Sequence, residues 1–168
     1  MSDPVVAAFR SAAERYVAAV DSAGERDTDD LLAELLRSLA AVVHYAAELP
    51  QPGSLSESDV ELAEVADWTR IEDRLRAALP IDTYWHVEPI EEARPEVGIY
   101  KLIHALRSVY FFLADGLAAL DAGVPIDDVV FEWRLMFTSV AGTNAVDGLR
   151  ILHYLVATPD GPHGGALL

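Results

Sequence analysis

The chain has 168 residues, which suits one domain, and its 52% hydrophobic content excludes disorder as the main state. A formal charge of −16 denies it the basic face that a phosphate backbone requires, excluding nucleic acid as a ligand class, and zero cysteines exclude disulfides, thiolate metal sites and thiol nucleophiles. With no uncharged apolar run of about 18 residues and no leader pattern after Met1, the expectation is a soluble protein of the reducing cytoplasm with no membrane partner.

A first helix is expected over residues 3–23, with Pro4 in its first turn, Gly24 as its stop, and an apolar stripe of Val5, Phe9, Ala12, Tyr16, Ala19 and Val20. A second follows Thr28-Asp29-Asp30, whose acids suit a helix N-terminus, and runs through Leu31, Leu35, Leu39, Val42 and Ala46 to Pro50. It is apolar around much of its circumference and should be central. A capping box at Ser56 or Ser58 opens a third helix that ends near Leu79-Pro80 and carries acid on its outer face.

Residues 80–95 hold three prolines and the cluster Tyr84-Trp85-His86-Val87, and read as an ordered loop packed by its aromatics. A fourth helix over 96–122 is strongly apolar through Ile99, Leu102, Ile103, Leu106, Val109, Tyr110, Leu113, Leu117 and Leu120, and Gly123-Val124-Pro125 stops it. It should be the core helix. A fifth runs from Ile126 or Asp127 to Thr138, a turn falls near Gly142, and a sixth reaches Ala157. Residues 158–168 form a flexible tail. No alternation of strand length and no internal repeat occurs, so the fold class is all-α: one domain over 1–157, an antiparallel bundle of about six helices.

The acid concentrates in the middle of the chain. Residues 48–96 hold 13 acids and 4 bases, the last 72 residues 7 and 4. A solvated surface is the plain reading, with a basic partner as the alternative. Glu61, Glu64 and Asp67 share one helical face in the manner of magnesium ligands, but Asp115 and Asp121 do not supply the matching pair on another helix, so no metal is expected. Arg37 and His44 fall on one helix face as in helical ribonucleases, against which the acidic surface argues. The histidines form no i, i+4 pair, and neither Ser108 nor Ser139 sits on the strained turn that exposes a nucleophile. No cofactor and no catalytic residue is assigned.

Asn144, Asp147, Arg150 and His153 or Tyr154 recur at helical spacing, opposite Val146, Leu149, Leu152 and Leu155. Glu132 and Arg134 on the preceding helix are placed to answer them. Polar groups among large apolar side chains need partners, so the set reads first as a locking Asp-Arg network. Its functional reading is a pocket in which Arg134, Asp147, Arg150 and His153 hold a small anion. Tyr110, Phe111 and Phe112 point around more than half of the fourth helix, more than one core is expected to bury. With Tyr84 and Trp85 they mark a candidate contact surface; Tyr84, Trp85 and Trp68 together offer an exposed aromatic patch, against the plainer reading of each singly as a core plug.

The chain resembles the DUF5063 family of bacterial helical proteins over most of its length. The resemblance rests on the second helix ending Ala46-Ala47-Glu48-Leu49-Pro50, on Asp82-Thr83-Tyr84-Trp85-His86-Val87-Glu88-Pro89, and on Val109-Tyr110 with Asp115-Gly116-Leu117. It rests also on Trp133-Arg134-Leu135-Met136-Phe137 followed by Val146-Asp147-Gly148-Leu149-Arg150-Ile151-Leu152-His153. It implies a helical fold and no established activity. Family members usually carry histidines and a tryptophan where this chain has Val140, Ala141 and Asn144 around Gly142, and aspartates where its fourth helix has His104, Ala105, Ser108 and Phe112. If that polar cluster serves a metal or a reaction, this chain has lost it and keeps Asp147, Arg150 and His153.

The leading expectation is therefore an interaction module without catalysis that binds a protein partner or itself, a homodimer in the second case. The alternatives are a small-anion-binding protein or enzyme at the Arg134/Asp147/Arg150/His153 pocket, and an acidic immunity or mimic protein masking a basic partner.

Overall fold

The computed structural model describes residues 3–51, 67–87 and 97–158. In chain order these form α1 (Pro4–Asp21), α2 (Thr28–Glu48), α3 (Trp68–Ala78), β1 (Thr83–Val87), β2 (Val97–Lys101), α4 (Leu102–Asp121), α5 (Ile126–Met136) and α6 (Gly142–Ala157). The carboxylates of Asp3, Asp27 and Asp67 accept from the Val5, Asp29 and Arg70 amides and cap α1, α2 and α3. Gly123, at φ 87°, lets the end of α4 close: its amide donates to Leu120 and that of Val124 to Ala119, a Schellman pair of bonds.

α1 and α2 form a helical hairpin across the short connection at Ser22–Asp27. α2 also packs on α6, α6 on α4, and α4 on α1, which closes a four-helix ring in the order α1, α2, α6, α4. α3 lies against α4 and the α1 terminus, and α5 against α4. This extra cover makes α4 the spine, with every residue from Val109 to Ala114 buried. Among the described residues α4 is the one helix long and apolar enough to cross a membrane, and 67% of its 18-residue apolar window is buried inside the fold. Tyr16, wholly buried on α1, donates its hydroxyl to the Leu106 carbonyl at 2.8 Å, and burial pushes that phenol's pKa far up. From the other side the buried Trp133 of α5 donates Nε1–H to the Phe112 carbonyl at 3.1 Å, while its ring meets Phe9 of α1 with centroids 4.9 Å apart.

The helical class is as the sequence implies, and several element boundaries are corrected. The segment read as a loop holds an antiparallel hairpin in which Trp85 pairs with Ile99 and His86 with Gly98. α4 accordingly starts at Leu102, whose amide donates to the Asp82 carbonyl at 2.8 Å and locks the hairpin base to the helix start. α3 starts after its Asp67 cap. The proposed box at Ser56 or Ser58, with Glu61 and Glu64, lies outside the described residues, as do residues 159–168.

No turn separates the last two helices. Phe137–Ala141 form one π-helical turn, flanked by helical dihedrals at Met136, Phe137, Ala141 and Gly142, so α5 and α6 make one continuous rod. The Gly142 amide donates to the Phe137 carbonyl, and a Cβ at Gly142 would overlap that same oxygen. The missing side chain that suggested a break is what allows the wide turn to close.

A Cβ at Gly116 would overlap the Trp133 indole. Gly116→Ala should cost about 1–3 kcal/mol in urea unfolding. Gly24→Ala, whose methyl meets nothing within 4 Å, should stabilise by about 0.5 kcal/mol. The reverse ranking would sink this account of the α4–α5 contact. Tyr16→Phe, which removes a hydroxyl but leaves the Leu106 carbonyl in its helix, should cost about 1 kcal/mol.

Candidate functional site

The polar groups of α6 converge on the hairpin. In β1 the side chains of Tyr84 and His86 point to the inner face while Trp85 points outward, a consequence of the two-residue strand period. Asp147 Oδ2 lies 2.8 Å from His86 Nδ1 and accepts from the Tyr84 hydroxyl at 3.4 Å, in a seam where His86 and Asp147 side chains keep 12% and 16% of their surface exposed. One turn further along α6, Arg150 donates to the Trp85 carbonyl at 3.3 Å and sets its guanidinium 5.8 Å from the centre of the Tyr84 ring. Tyr100 of β2 completes the seam, its ring 4.6 Å from that of His86. Burial, with Asp147 next to it, raises the Tyr84 phenol to about 12.

This arrangement separates the four residues read as an anion pocket. Asp147 and Arg150 are together, but both are engaged by β1. Arg134 is elsewhere: its Nη1 donates to the Leu49 carbonyl just past the end of α2, where it satisfies a terminal acceptor. Sixteen residues separate it from Arg150 along the rod, roughly 24 Å of helix rise. His153 is exposed on the outer surface of α6. Asn144, the first member of the stripe, donates to Ser108 Oγ at 3.0 Å and ties α6 to α4. The partners expected from Arg134 and Glu132 are thus supplied by Tyr84, Trp85 and His86.

The aromatic candidates divide in a similar way. Tyr110, Phe111 and Phe112 are all buried, because α3 and α5 cover the sides of α4 that a simple bundle would leave open. Tyr110 reaches the α1 terminus, donating to Asp21 Oδ1 at 2.9 Å, and burial followed by that carboxylate raises its pKa. Tyr84 is buried in the seam, whereas Trp85 is 64% exposed. Of the two remaining catalytic and metal constellations, Arg37 pairs with Glu34 at 3.1 Å, and Asp121 is an exposed residue 4.0 Å from Arg10. Among the described residues no group of three or more His, Asp or Glu is placed to hold a metal ion.

One surface stands out that the sequence reading only touched. All ten exposed large hydrophobic residues described lie on the hairpin or the α5–α6 rod: Trp85, Ile99 and Tyr100, then Ile126, Leu135, Met136, Val140, Val146, Tyr154 and Val156. Among the described residues the exposed carboxylates lie elsewhere, at Asp3, Glu14, Asp21, Glu25, Asp27, Asp29, Asp30 and Glu48 on and around α1 and α2, at Asp67 and Asp73 before and on α3 and at Asp121 ending α4, and Asp127 is the one exposed acid described on the rod. The exposed cations bordering the seam are Lys101 and Arg150. Trp85 was legible as a candidate contact residue, whereas Val146, expected on the apolar face of α6 with Leu149, Leu152 and Leu155, is 53% exposed and with Tyr154 flanks Arg150 at four-residue spacing.

The fold is shared with the crystal structure of protein BF1032 from Bacteroides fragilis, at a TM-score of 0.79 and 19% identity, over 99% of this chain and 98% of that one. No curated protein matches the sequence. The family described as a domain of unknown function, DUF5063, matches residues 1–158, a span that takes in the hairpin, the seam and the whole rod, and the chain belongs to that family.

Proposed function

We propose that the protein is an interaction module and that the hairpin and rod form its contact face, with a second copy of the chain as its occupant. The observation carrying this reading is the segregation of the exposed apolar side chains onto that face, headed by the cross-strand pair Trp85 and Ile99, 64% and 65% exposed. Exposed large apolar side chains gathered on a few elements of a molecule favour an interface there.

Charge supports a second copy as the occupant. Two molecules meeting through this face turn their acidic α1–α2 surfaces outward, and at physiological salt charges further apart than about 8 Å are largely screened. Among the described residues, contact through this side brings fewer like charges together than contact through α1 and α2. A two-fold contact also places the same patch on both partners, which suits a face that supplies Trp85, Val146 and Tyr154 from one region. The anion-pocket reading is weakened because Arg134 and Arg150 each already donate to a backbone carbonyl.

Sedimentation velocity over a range of concentrations at 0.15 M salt tests the proposal. The native chain should dimerise, and Trp85→Ser combined with Val146→Ser should weaken the dimer by about a hundredfold, near 1.4 kcal/mol for each substitution counted over both copies. Far-UV circular dichroism should not change, since both side chains are exposed. A native chain that stays monomeric throughout would remove self-association, and binding to zwitterionic vesicles instead would reassign the face to a lipid surface.

A further inference from the structure

The geometry points to Asp147 as the positioning residue that sets the hairpin on the helical body and so assembles the contact face. This inference rests on the interaction reading above and adds a residue that is not itself part of the contact. An isolated two-stranded hairpin is at best marginally stable in water, so one whose outer face carries Trp85 and Ile99 needs something to dock against. Its base is fixed by the Leu102 amide on the Asp82 carbonyl. Beyond the base, the described polar contacts from strand to body are those made by α6: Asp147 with Tyr84 and His86, and Arg150 with the Trp85 carbonyl.

Two side chains one helical turn apart thus grip three consecutive strand residues, and both inner-face groups meet the same carboxylate oxygen. The α6 backbone between them has little room to shift. A Cβ at Gly148 would lie 3.2 Å from Leu106 Cδ2 of α4 and 3.4 Å from Leu39 Cδ2 of α2, so α6 is pressed between its two neighbours at this point. The carboxylate is therefore presented from a closely packed part of the bundle to a lightly attached element. β2 follows β1 through their ladder and through the Tyr100 ring, which lies tilted against His86.

Amide hydrogen exchange read by mass spectrometry tests this on Asp147→Ala and on the milder Asp147→Asn, alongside sedimentation. With Asp147→Ala, exchange within 83–87 and 97–101 should rise about tenfold or more while α2 and α4 keep their protection. Dimerisation should weaken as it does for the Trp85 variant, although Trp85 is untouched. Asp147→Asn, which retains a carbonyl acceptor for Tyr84, should fall between. Unchanged strand exchange in Asp147→Ala would overturn the inference. If loss of protection spreads through the helices, His86→Ala provides the same test from the strand side, and unchanged strand exchange there would equally overturn it. Loosened strands in a chain that is monomeric at every concentration would uphold the anchoring by Asp147 and overturn only the self-association.

Discussion

α4, buried without a break from Val109 to Ala114, meets two of its neighbours' polar groups at carbonyl oxygens already used by its own ladder. Tyr16 reaches the Leu106 carbonyl from α1 and Trp133 the Phe112 carbonyl from α5. The two acceptors are six residues apart, roughly 240° around the helix, so the bonds arrive from different sides. Each brings a polar atom into the core only because an acceptor of the right depth is there. Gly116 belongs to the same constraint, since the indole that bonds Phe112 occupies the place of its side chain. Around this spine the remaining helices have little freedom in depth or rotation.

Covering α4 engages the apolar faces of α1 and α3 and part of those of α5 and α6. The rod then has more hydrophobic surface than the core can take, and the hairpin, added at its side, turns Trp85 and Ile99 outward. The polar seam is the complement of that choice. Because Tyr84 and His86 face inward, the helix beneath them has to offer polar partners, and Asp147 and Arg150 do so. A face of this kind would be easier to explain as an accident if its exposed residues were scattered over all the helices. They are confined to two elements joined by one network.

The helices were legible where a single period governed a long segment: α1, α2 and the body of α4 follow their apolar stripes closely. The hairpin was not, because its alternation is inverted. Strands are recognised by apolar residues inside and polar ones outside, whereas here Tyr84 and His86 lie inside and Trp85 outside, so no hydrophobic alternation is visible. The register also depends on residues ten to eighteen positions apart, which local periodicity does not reach. The π turn was hidden for a related reason. A glycine after an apolar run usually ends a helix, and nothing in the sequence distinguishes that use from the close approach of Gly142 to the Phe137 carbonyl. At the candidate site, the need of Asp147 and Arg150 for partners could be read from their neighbours, but the partners stand more than sixty residues earlier, in a segment whose strand was unseen.

The shared fold at 19% identity bears on how far each of these interactions can be asked to explain the architecture. A bundle that persists when about four residues in five differ is set by the pattern of buried positions more than by particular pairs, in line with the tolerance of cores to hydrophobic exchange at conserved volume. The spine and its ring of helices belong to that pattern. The seam does not follow from it: a carboxylate, an imidazole and a guanidinium at fixed separations are particular groups, and burying them brings little net stability compared with well-packed apolar residues. What they add in this chain is a defined attitude of the hairpin. That separates the two kinds of constraint by what each controls, with α4 deciding that the chain folds as a bundle and α6 deciding which surface the bundle presents.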